Sequence, residues 1–204
     1  MFITELTNIY KKNPLLAEFV PYEEIAPQLL QFLNQEVRLG AKYLNPYRFS
    51  YAFGHEPKNI ISLFIAFSND DGFLKRLYKY DCTTCETTNL INDEQLKNFE
   101  CYECHSSDSI NSSNFLEDVK VIFEIREDLL KEVQNRLKKQ ASSEDRSKIS
   151  SVSEGAQQTK SEKDVTLKDI LINNVNPDTN PIDNKLLAIE QLIQNKMLSG
   201  VRAI

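Results

Sequence analysis

Glycine and histidine are scarce in this 204-residue chain, and tryptophan is absent. The five glycines are Gly40, Gly54, Gly72, Gly155 and Gly200. Because they are so widely spaced, the chain cannot form a glycine-rich phosphate-binding loop or a dinucleotide-binding fingerprint. The only two histidines, His55 and His105, are too far apart for the paired-histidine motifs of metalloenzymes.

Long apolar runs are also missing, so no segment approaches the roughly 20 residues that a membrane-spanning helix needs. The amino end reads MFITELTNIYKK, with its charges after its apolar residues. A signal peptide has the opposite order. We therefore expect a cytoplasmic protein without membrane association.

Negative charge is concentrated in one part of the chain. The formal net charge is −6, and residues 81–115 alone hold seven acidic side chains and one basic side chain. This segment also contains all four cysteines. Such a segment would repel a phosphate backbone, so we do not expect it to bind nucleic acid.

The first 80 residues predict several short helices followed by a strand. Apolar spacing predicts a helix at Phe2–Lys12 and a second from near Pro27 towards Gly40. Two more are expected after Asn45-Pro46 and after Pro57. A turn at Asp70-Asp71-Gly72 then leads into a strand at 73–81. This order is typical of a winged-helix domain, here residues 1–80, with the helix at 58–68 in the recognition position.

The residue types of that helix argue against base reading. Its sequence KNIISLFIAFS has Lys58 as its only cation, whereas reading of DNA bases requires Arg, Lys, Asn or Gln on the helix. Two interpretations remain open, a buried core helix and a helix whose outer face packs on another protein. In the wing strand, Lys75, Arg76 and Lys79 are candidate phosphate contacts, but we favour a solvated sheet edge.

The four cysteines form two CxxC pairs, Cys82-Thr-Thr-Cys85 and Cys101-Tyr-Glu-Cys104. This spacing matches the four-cysteine zinc pattern. Each pair can fold as a tight turn, or knuckle, that directs two thiolates at one ion, and two knuckles complete a closed tetrahedron. We therefore predict a structural Zn²⁺ site with Cys82, Cys85, Cys101 and Cys104 as ligands. Disulfides and a redox CxxC are weaker alternatives, because they need an oxidising compartment or a thioredoxin-like context. An iron–sulfur cluster could also use four cysteines, but two symmetric pairs suit a zinc ribbon better.

Residues 22–126 resemble the winged-helix and zinc-ribbon arrangement of many small prokaryotic proteins. The resemblance rests on NPYRFSYAFG, the apolar helix, the DDG turn, YKYDCTTC and CYEC. Families of this kind often have glycine after the knuckle, where this chain has Glu86 and His105. Several such proteins are accessory or adaptor subunits of bacterial multi-component systems, including phage-defence operons, and others are transcription factors.

After the ribbon, alternation predicts a strand at 119–125, and apolar spacing predicts a helix at 129–140. The serine-rich stretch 141–164 lacks residues to bury, so we interpret it as a disordered linker. Residues 165–204 form a C-terminal helical segment with an amphipathic stripe of Leu186, Ile189, Ile193 and Met197. This stripe has two open interpretations, packing on the chain's own core and binding to a partner protein, and we favour the partner.

The predicted fold class is α+β, with a winged-helix-like domain (1–80), a zinc ribbon with a following strand and helix (81–140), a linker and a C-terminal helix. No nucleophile with its base, carboxylate pair or open metal site stands out, so we do not expect an enzyme. The favoured function is a non-catalytic zinc-binding adaptor whose apolar helix and tail bind proteins encoded by neighbouring genes. The alternative is a DNA-binding transcriptional regulator.

Overall fold

The computed structural model describes residues 2–14, 16–70, 72–107, 115–144, 163–174 and 181–201. Their helices are α1 (Phe2–Lys12), α2 (Leu16–Phe19), α3 (Tyr22–Arg38), α4 (Pro46–Phe53), α5 (Pro57–Phe67), α6 (Asp93–Lys97), α7 (Phe115–Asp118), α8 (Glu127–Glu144), α9 (Leu167–Ile172) and α10 (Asn184–Val201). Their strands are β1 (Tyr43–Leu44), β2 (Leu74–Asp81), β3 (Thr88–Ile91), β4 (Lys120–Ile125) and β5 (Val165–Thr166). The predicted α+β class is confirmed.

Local sequence signals place several of these elements where we predicted them. Asn45 caps α4 by accepting a hydrogen bond from the Tyr47 amide at 2.9 Å, and Gly54 ends the helix at φ 72°. Both signals are common at helix boundaries. The prediction for α3 was too short, because this helix begins at Tyr22 and runs through Pro27.

The five described strands pair antiparallel in one sheet of order β1-β4-β2-β3, with β5 also paired to β4. The strand β2 runs from residue 74 to 81, across the boundary that composition suggested between the first two parts. The strand β5 brings the predicted C-terminal segment into the same sheet through Val165 and Val121. The parts of the chain that differ in composition therefore share a single sheet.

The core lies between this sheet and the amino-terminal helices. Aromatic side chains connect them: Phe64 of α5 contacts Phe123 of β4 edge-on at a ring separation of 5.4 Å, and Phe67 contacts Phe73 at 4.5 Å. Gly72 allows the tight turn after α5, because a Cβ there would lie 1.9 Å from the Phe67 carbonyl oxygen. Any larger residue at this position would displace backbone.

The C-terminal segment covers the outer side of α5. Ser62 of α5 donates to the Asn173 carbonyl at 2.9 Å, and Asn69 donates to the Ile182 carbonyl at 3.1 Å. Every apolar side chain of α5 from Ile60 to Phe67 is accordingly buried, and the polar Ser62 is the one residue of this range that is not. Of the two interpretations of this helix, the structure shows the buried core helix.

The predicted partner-binding stripe of the tail also lies inside the chain. Leu186, Ile189 and Ile193 are 0%, 1% and 3% exposed, so the interpretation as packing on the chain's own core describes them. Our preference for binding to a partner protein was wrong for these three side chains. Amphipathic spacing shows which face of a helix is apolar, but it does not show which surface covers that face. Met197 lies outside the described side chains.

The predictions of a linker and of no membrane-spanning segment can be compared with the structure only over the described residues. The predicted linker at 141–164 begins inside α8, which continues to Glu144, and residues 145–162 lie outside the described part of the chain. Among the helices that are described, none has the length together with the apolar character required to cross a membrane.

Candidate metal centre

The first knuckle, residues 82–87, follows directly on β2. The Glu86 amide donates to the Cys82 carbonyl at 2.8 Å, and the Cys82 amide donates to the Thr87 carbonyl at 2.9 Å. The Thr84 amide also lies 3.4 Å from Cys82 Sγ. These bonds close a tight turn that directs the sulfurs of Cys82 and Cys85 to the same side.

The second knuckle, residues 101–106, repeats this pattern. The His105 amide donates to the Cys101 carbonyl at 3.0 Å, and the Cys101 amide donates to the Ser106 carbonyl at 3.0 Å. The two CxxC motifs therefore fold in the same way, although they share little sequence besides the cysteines.

The residue after each second cysteine has the left-handed backbone conformation that glycine usually supplies. Glu86 has φ 59° and His105 has φ 56°, and they are the only non-glycine residues with positive φ in the described chain. Non-glycine residues pay a steric cost for this conformation. The two knuckles thus keep the same geometry without glycine at these positions, and the backbone is strained at both.

The four sulfurs come together at the spacing of metal ligands. Cys82 Sγ is 3.7 Å from Cys104 Sγ, and Cys85 Sγ is 3.6 Å from Cys101 Sγ. All four sulfurs lie within 4.8 Å of one another. Four thiolates bound tetrahedrally at about 2.3 Å from one ion would be about 3.8 Å apart. The cluster therefore fits one ion.

The same sulfur–sulfur distances are too long for the alternative of two disulfide bonds. A disulfide requires an S–S distance of about 2.05 Å, and all four cysteines are free. Each short contact joins one knuckle to the other. Cys82 and Cys101 are buried, Cys85 is half-buried and Cys104 is exposed. The cluster therefore lies near the protein surface, with Cys104 on the solvent side.

Hydrogen bonds to sulfur and desolvation shift the pKa values of Cys82, Cys85 and Cys101 in different directions. The Ser106 hydroxyl is the main cause that lowers the pKa of Cys82 to about 6, and backbone amides, first that of Cys104, lower the pKa of Cys101. Hydrogen bonds from Thr87 act to lower the pKa of Cys85, but desolvation and its contacts with Cys104 and Cys101 outweigh them and raise it to about 11. Metal binding removes the protons that remain on such thiols.

Sequence reasoning missed two polar residues that contact this cluster, Asn89 and Ser106. Asn89 is buried on β3 with its Nδ2 3.7 Å from Cys101 Sγ. The Ser106 hydroxyl lies 3.3 Å from Cys82 Sγ and 3.0 Å from Cys104 Sγ. The available signal was a hydroxyl residue two positions after each CxxC, Thr87 and Ser106.

The three basic residues of the wing strand do not together form the solvated sheet edge that we favoured. Lys75 is exposed, with its Nζ 3.9 Å from Glu124 Oε2, and Lys79 is half-buried opposite Lys120. The strand is not an edge over residues 78–81, because β3 pairs with it there. Lys75 therefore remains exposed to solvent, whereas Lys79 is only partly exposed.

Arg76 was wrongly placed among these surface cations. Alternation along β2 puts it on the same face as Leu74, Tyr78 and Tyr80, all of which are buried, and its own side chain is 2% exposed. It binds Asp93 of α6 through Nη2 at 3.0 and 3.2 Å, and Asp183 through Nη1 at 2.7 Å. This buried cation is a structural residue.

The environment of Arg76 keeps it charged. Desolvation acts to lower its pKa, but Tyr78, Asp93 and Asp183 outweigh this effect and raise the pKa above the ordinary value. Burial raises the pKa of the Tyr78 hydroxyl, which donates to Asp93 Oδ1 at 2.6 Å. The network joins β2, α6 and the residue before α10.

Comparison with known proteins adds no relative. The chain matches no protein-family model, no curated protein and no solved structure. The four-cysteine cluster, a potential metal site built by two equivalent knuckles, is therefore the feature from which function has to be inferred.

Proposed function

We propose that this chain is a non-catalytic zinc-binding adaptor, an accessory subunit of a multi-protein complex. The observation that carries the proposal is the close approach of four sulfurs from two equivalent knuckles, all within 4.8 Å. Four soft thiolates in a tetrahedral arrangement favour Zn²⁺ among common ions. Cys82, Cys85, Cys101 and Cys104 would hold the ion.

A site with four protein ligands is structural rather than catalytic. Catalytic zinc sites keep one position open for water or substrate, whereas four cysteines fill the tetrahedron. An ion bound here would hold the two knuckles in one arrangement. This role agrees with a protein that presents a surface and performs no reaction.

The topology supports a winged-helix-like interpretation. The helices α4 and α5 are followed by β2 and β4, which are antiparallel neighbours, and β1 lies on the other side of β4. In this interpretation β2 is the wing strand that leads into the cysteine region, and α5 has the recognition position. Because α5 is covered by the C-terminal segment, we assign the partner surface to other parts of the chain.

Exposed apolar side chains suggest where a partner could bind. Tyr102 in the second knuckle is 64% exposed, and Tyr51 on α4 is 93% exposed. Large exposed aromatic side chains of this kind are enriched at protein interfaces. The neighbourhood of Tyr102 is acidic, with Glu100 and Glu103 close in sequence, which favours a protein partner over a nucleic acid.

Two measurements on one sample test this function. The tagged chain is purified gently from its native host, its metal content is determined by elemental analysis, and bound proteins are identified by mass spectrometry. We expect about one zinc per chain and a protein encoded by a neighbouring gene, both lost in Cys82→Ser. A chain without metal, or with its cysteines in disulfides, overturns the zinc site, and a chain that always elutes alone overturns the adaptor.

A DNA-binding regulator is the second candidate, supported by the winged-helix-like order and by the exposed Lys75 on the wing strand. Electrophoretic shifts at low salt would then weaken when Lys75 and Lys79 are both changed to Glu. The absence of any shift at low salt removes this candidate.

A further inference from the structure

Two polar side chains outside the cysteines link the two knuckles reciprocally. Asn89 follows the first knuckle along the chain, but its side chain reaches the second. Its Oδ1 accepts a hydrogen bond from the Tyr102 amide at 3.2 Å, and its Nδ2 lies 3.7 Å from Cys101 Sγ. Ser106 ends the second knuckle, but its hydroxyl contacts Cys82 Sγ of the first at 3.3 Å.

The bonds of Asn89 also reach back to its own knuckle. Its Nδ2 donates to the Thr87 carbonyl at 2.8 Å, and the side chain is almost completely buried. Buried amides are retained where their donors and acceptors are paired. The side-chain amide of Asn89 thus contacts a backbone carbonyl of the first knuckle, and a backbone N–H and a sulfur of the second. A hydrophobic residue at this position could fill the space but could not hold the knuckles in this register.

Ser106 complements this contact from the opposite side. Its carbonyl closes the second knuckle through the Cys101 amide, while its hydroxyl lies within 3.3 Å of sulfurs from both knuckles. Asn89 and Ser106 therefore approach three of the four sulfurs. Groups that hydrogen-bond to metal ligands orient them and adjust their electron density, and such groups affect affinity although they do not bind the ion.

We propose that Asn89 and Ser106 are positioning residues of the metal centre. They hold the sulfurs of both knuckles at ligand spacing and donate hydrogen bonds to the thiolates, and in this way they set the affinity for a tetrahedral, thiolate-preferring ion. The inference rests on the proposed metal site and names the residues of this chain that determine how tightly that site binds.

The test compares zinc affinities of the full-length chain by competition with a chromophoric chelator. Asn89→Asp keeps the size of the side chain and its acceptor for Tyr102, but it removes the donor to sulfur and adds a negative charge. We expect a loss of about 10–100-fold in affinity. Asn98→Asp, which adds the same charge at an exposed position of this segment, is the matched control and should bind as the unmodified chain does.

Cobalt(II) gives a readout that separates positioning from ligation. The sulfur-to-cobalt charge-transfer absorption at saturation reports the number of bound thiolates. We expect Asn89→Asp and Ser106→Ala to keep this intensity while their affinity falls, whereas Cys101→Ser should lose part of it.

The outcomes distinguish this inference from the proposed function. If the unmodified chain binds neither zinc nor cobalt, the metal site itself is wrong, and this inference is wrong with it. If the unmodified chain binds and both variants match Asn98→Asp, the positioning role alone is overturned. If Asn89→Asp does not fold even at saturating zinc, the test depends on Ser106→Ala. Weaker zinc binding by Ser106→Ala would support the positioning role, and unchanged zinc binding would overturn it.

Discussion

Arg76 Nη1 lies 2.7 Å from Asp183 Oδ2, and the two side chains are 2% and 7% exposed. The pair connects the middle of the sheet to the residue before α10. Asp183 itself is fixed by the Asn174 side chain, which accepts from its amide at 2.8 Å and donates to its carbonyl at 2.9 Å. A buried ion pair thus anchors the C-terminal segment that composition assigned to a separate part.

Replacing Asp183 by Asn should destabilise the protein by about 2–3 kcal/mol, since a buried guanidinium loses one of its two carboxylates and retains Asp93. Urea unfolding of both proteins measures this. Asp70→Asn is the control, because Asp70 pairs with Lys185 at the exposed surface and such pairs contribute about 0–1 kcal/mol. Equal effects of the two changes would contradict a buried anchor.

Leu186→Ala should lower the free energy of unfolding by about 2–5 kcal/mol, because it creates a cavity in the core of the isolated chain. Leu187→Ala, at the neighbouring half-buried position, should cost clearly less. Thermal and denaturant unfolding without any partner provides the comparison. If Leu186→Ala is as stable as the unmodified chain, the tail stripe is not a core surface.

Glu86→Gly should stabilise the protein by about 0.5–1 kcal/mol, since glycine adopts positive φ without the steric cost that Glu86 pays. Glu103→Gly, within the second knuckle but without positive φ, should have no such benefit. The free energies of unfolding of the metal-loaded proteins decide between them. Equal stability of the two variants would argue against strain at Glu86.

Glu5→Gln should stabilise the protein at pH 7. Burial raises the pKa of Glu5, although Arg126 acts to lower it, and Glu5 Oε2 has no hydrogen-bond partner among the described residues. A carboxyl group with a raised pKa stabilises the fold when protonated, and this contribution is lost as pH rises from its unfolded pKa through the higher folded value. The benefit of Glu5→Gln should therefore be present at pH 7 and vanish near pH 4.

Glu127→Gln provides a control of opposite sign for this pH dependence. Its hydrogen bond with Lys131 lowers the pKa of Glu127, so loss of that carboxylate should reduce stability slightly at pH 7. Stability measured against pH for both variants tests the signs, and a gain from Glu5→Gln that persists at pH 4 would refute the titration of Glu5.

Removal of the metal should lower stability, because an ion that binds only the folded chain stabilises it. At free zinc about 1,000 times the dissociation constant, the loss on chelation is about 4 kcal/mol. Thermal unfolding with and without chelator measures it, and Cys101→Ser should respond to zinc much less than the unmodified chain, while Ser107→Ala responds normally. Identical curves for all proteins would mean that no structural ion is bound.

Much of the local structure could be predicted, because it depends on local signals. Asn45 and Gly54 define α4, and the two CxxC motifs define the cluster of four cysteines. What failed was the assignment of surfaces. The sequence around Arg76 predicts an exposed cation. Its burial depends on Asp93 and Asp183, which are far away in sequence. Leu186 and Ile189 show an apolar face, but the face they pack against is formed by other parts of the chain. Asn89 carried no signal, since its role comes from packing against the second knuckle.

The position of the cysteines between β2 and β4 would give a bound ion a kinetic consequence. These strands are direct neighbours in the sheet, yet they are separated by a long excursion of the chain that includes Cys82 and Cys104, 22 residues apart. Ordering such a loop costs entropy that increases with its length. Early ion capture would cross-link the excursion and shorten the effective loop, so zinc should accelerate refolding as well as slow unfolding.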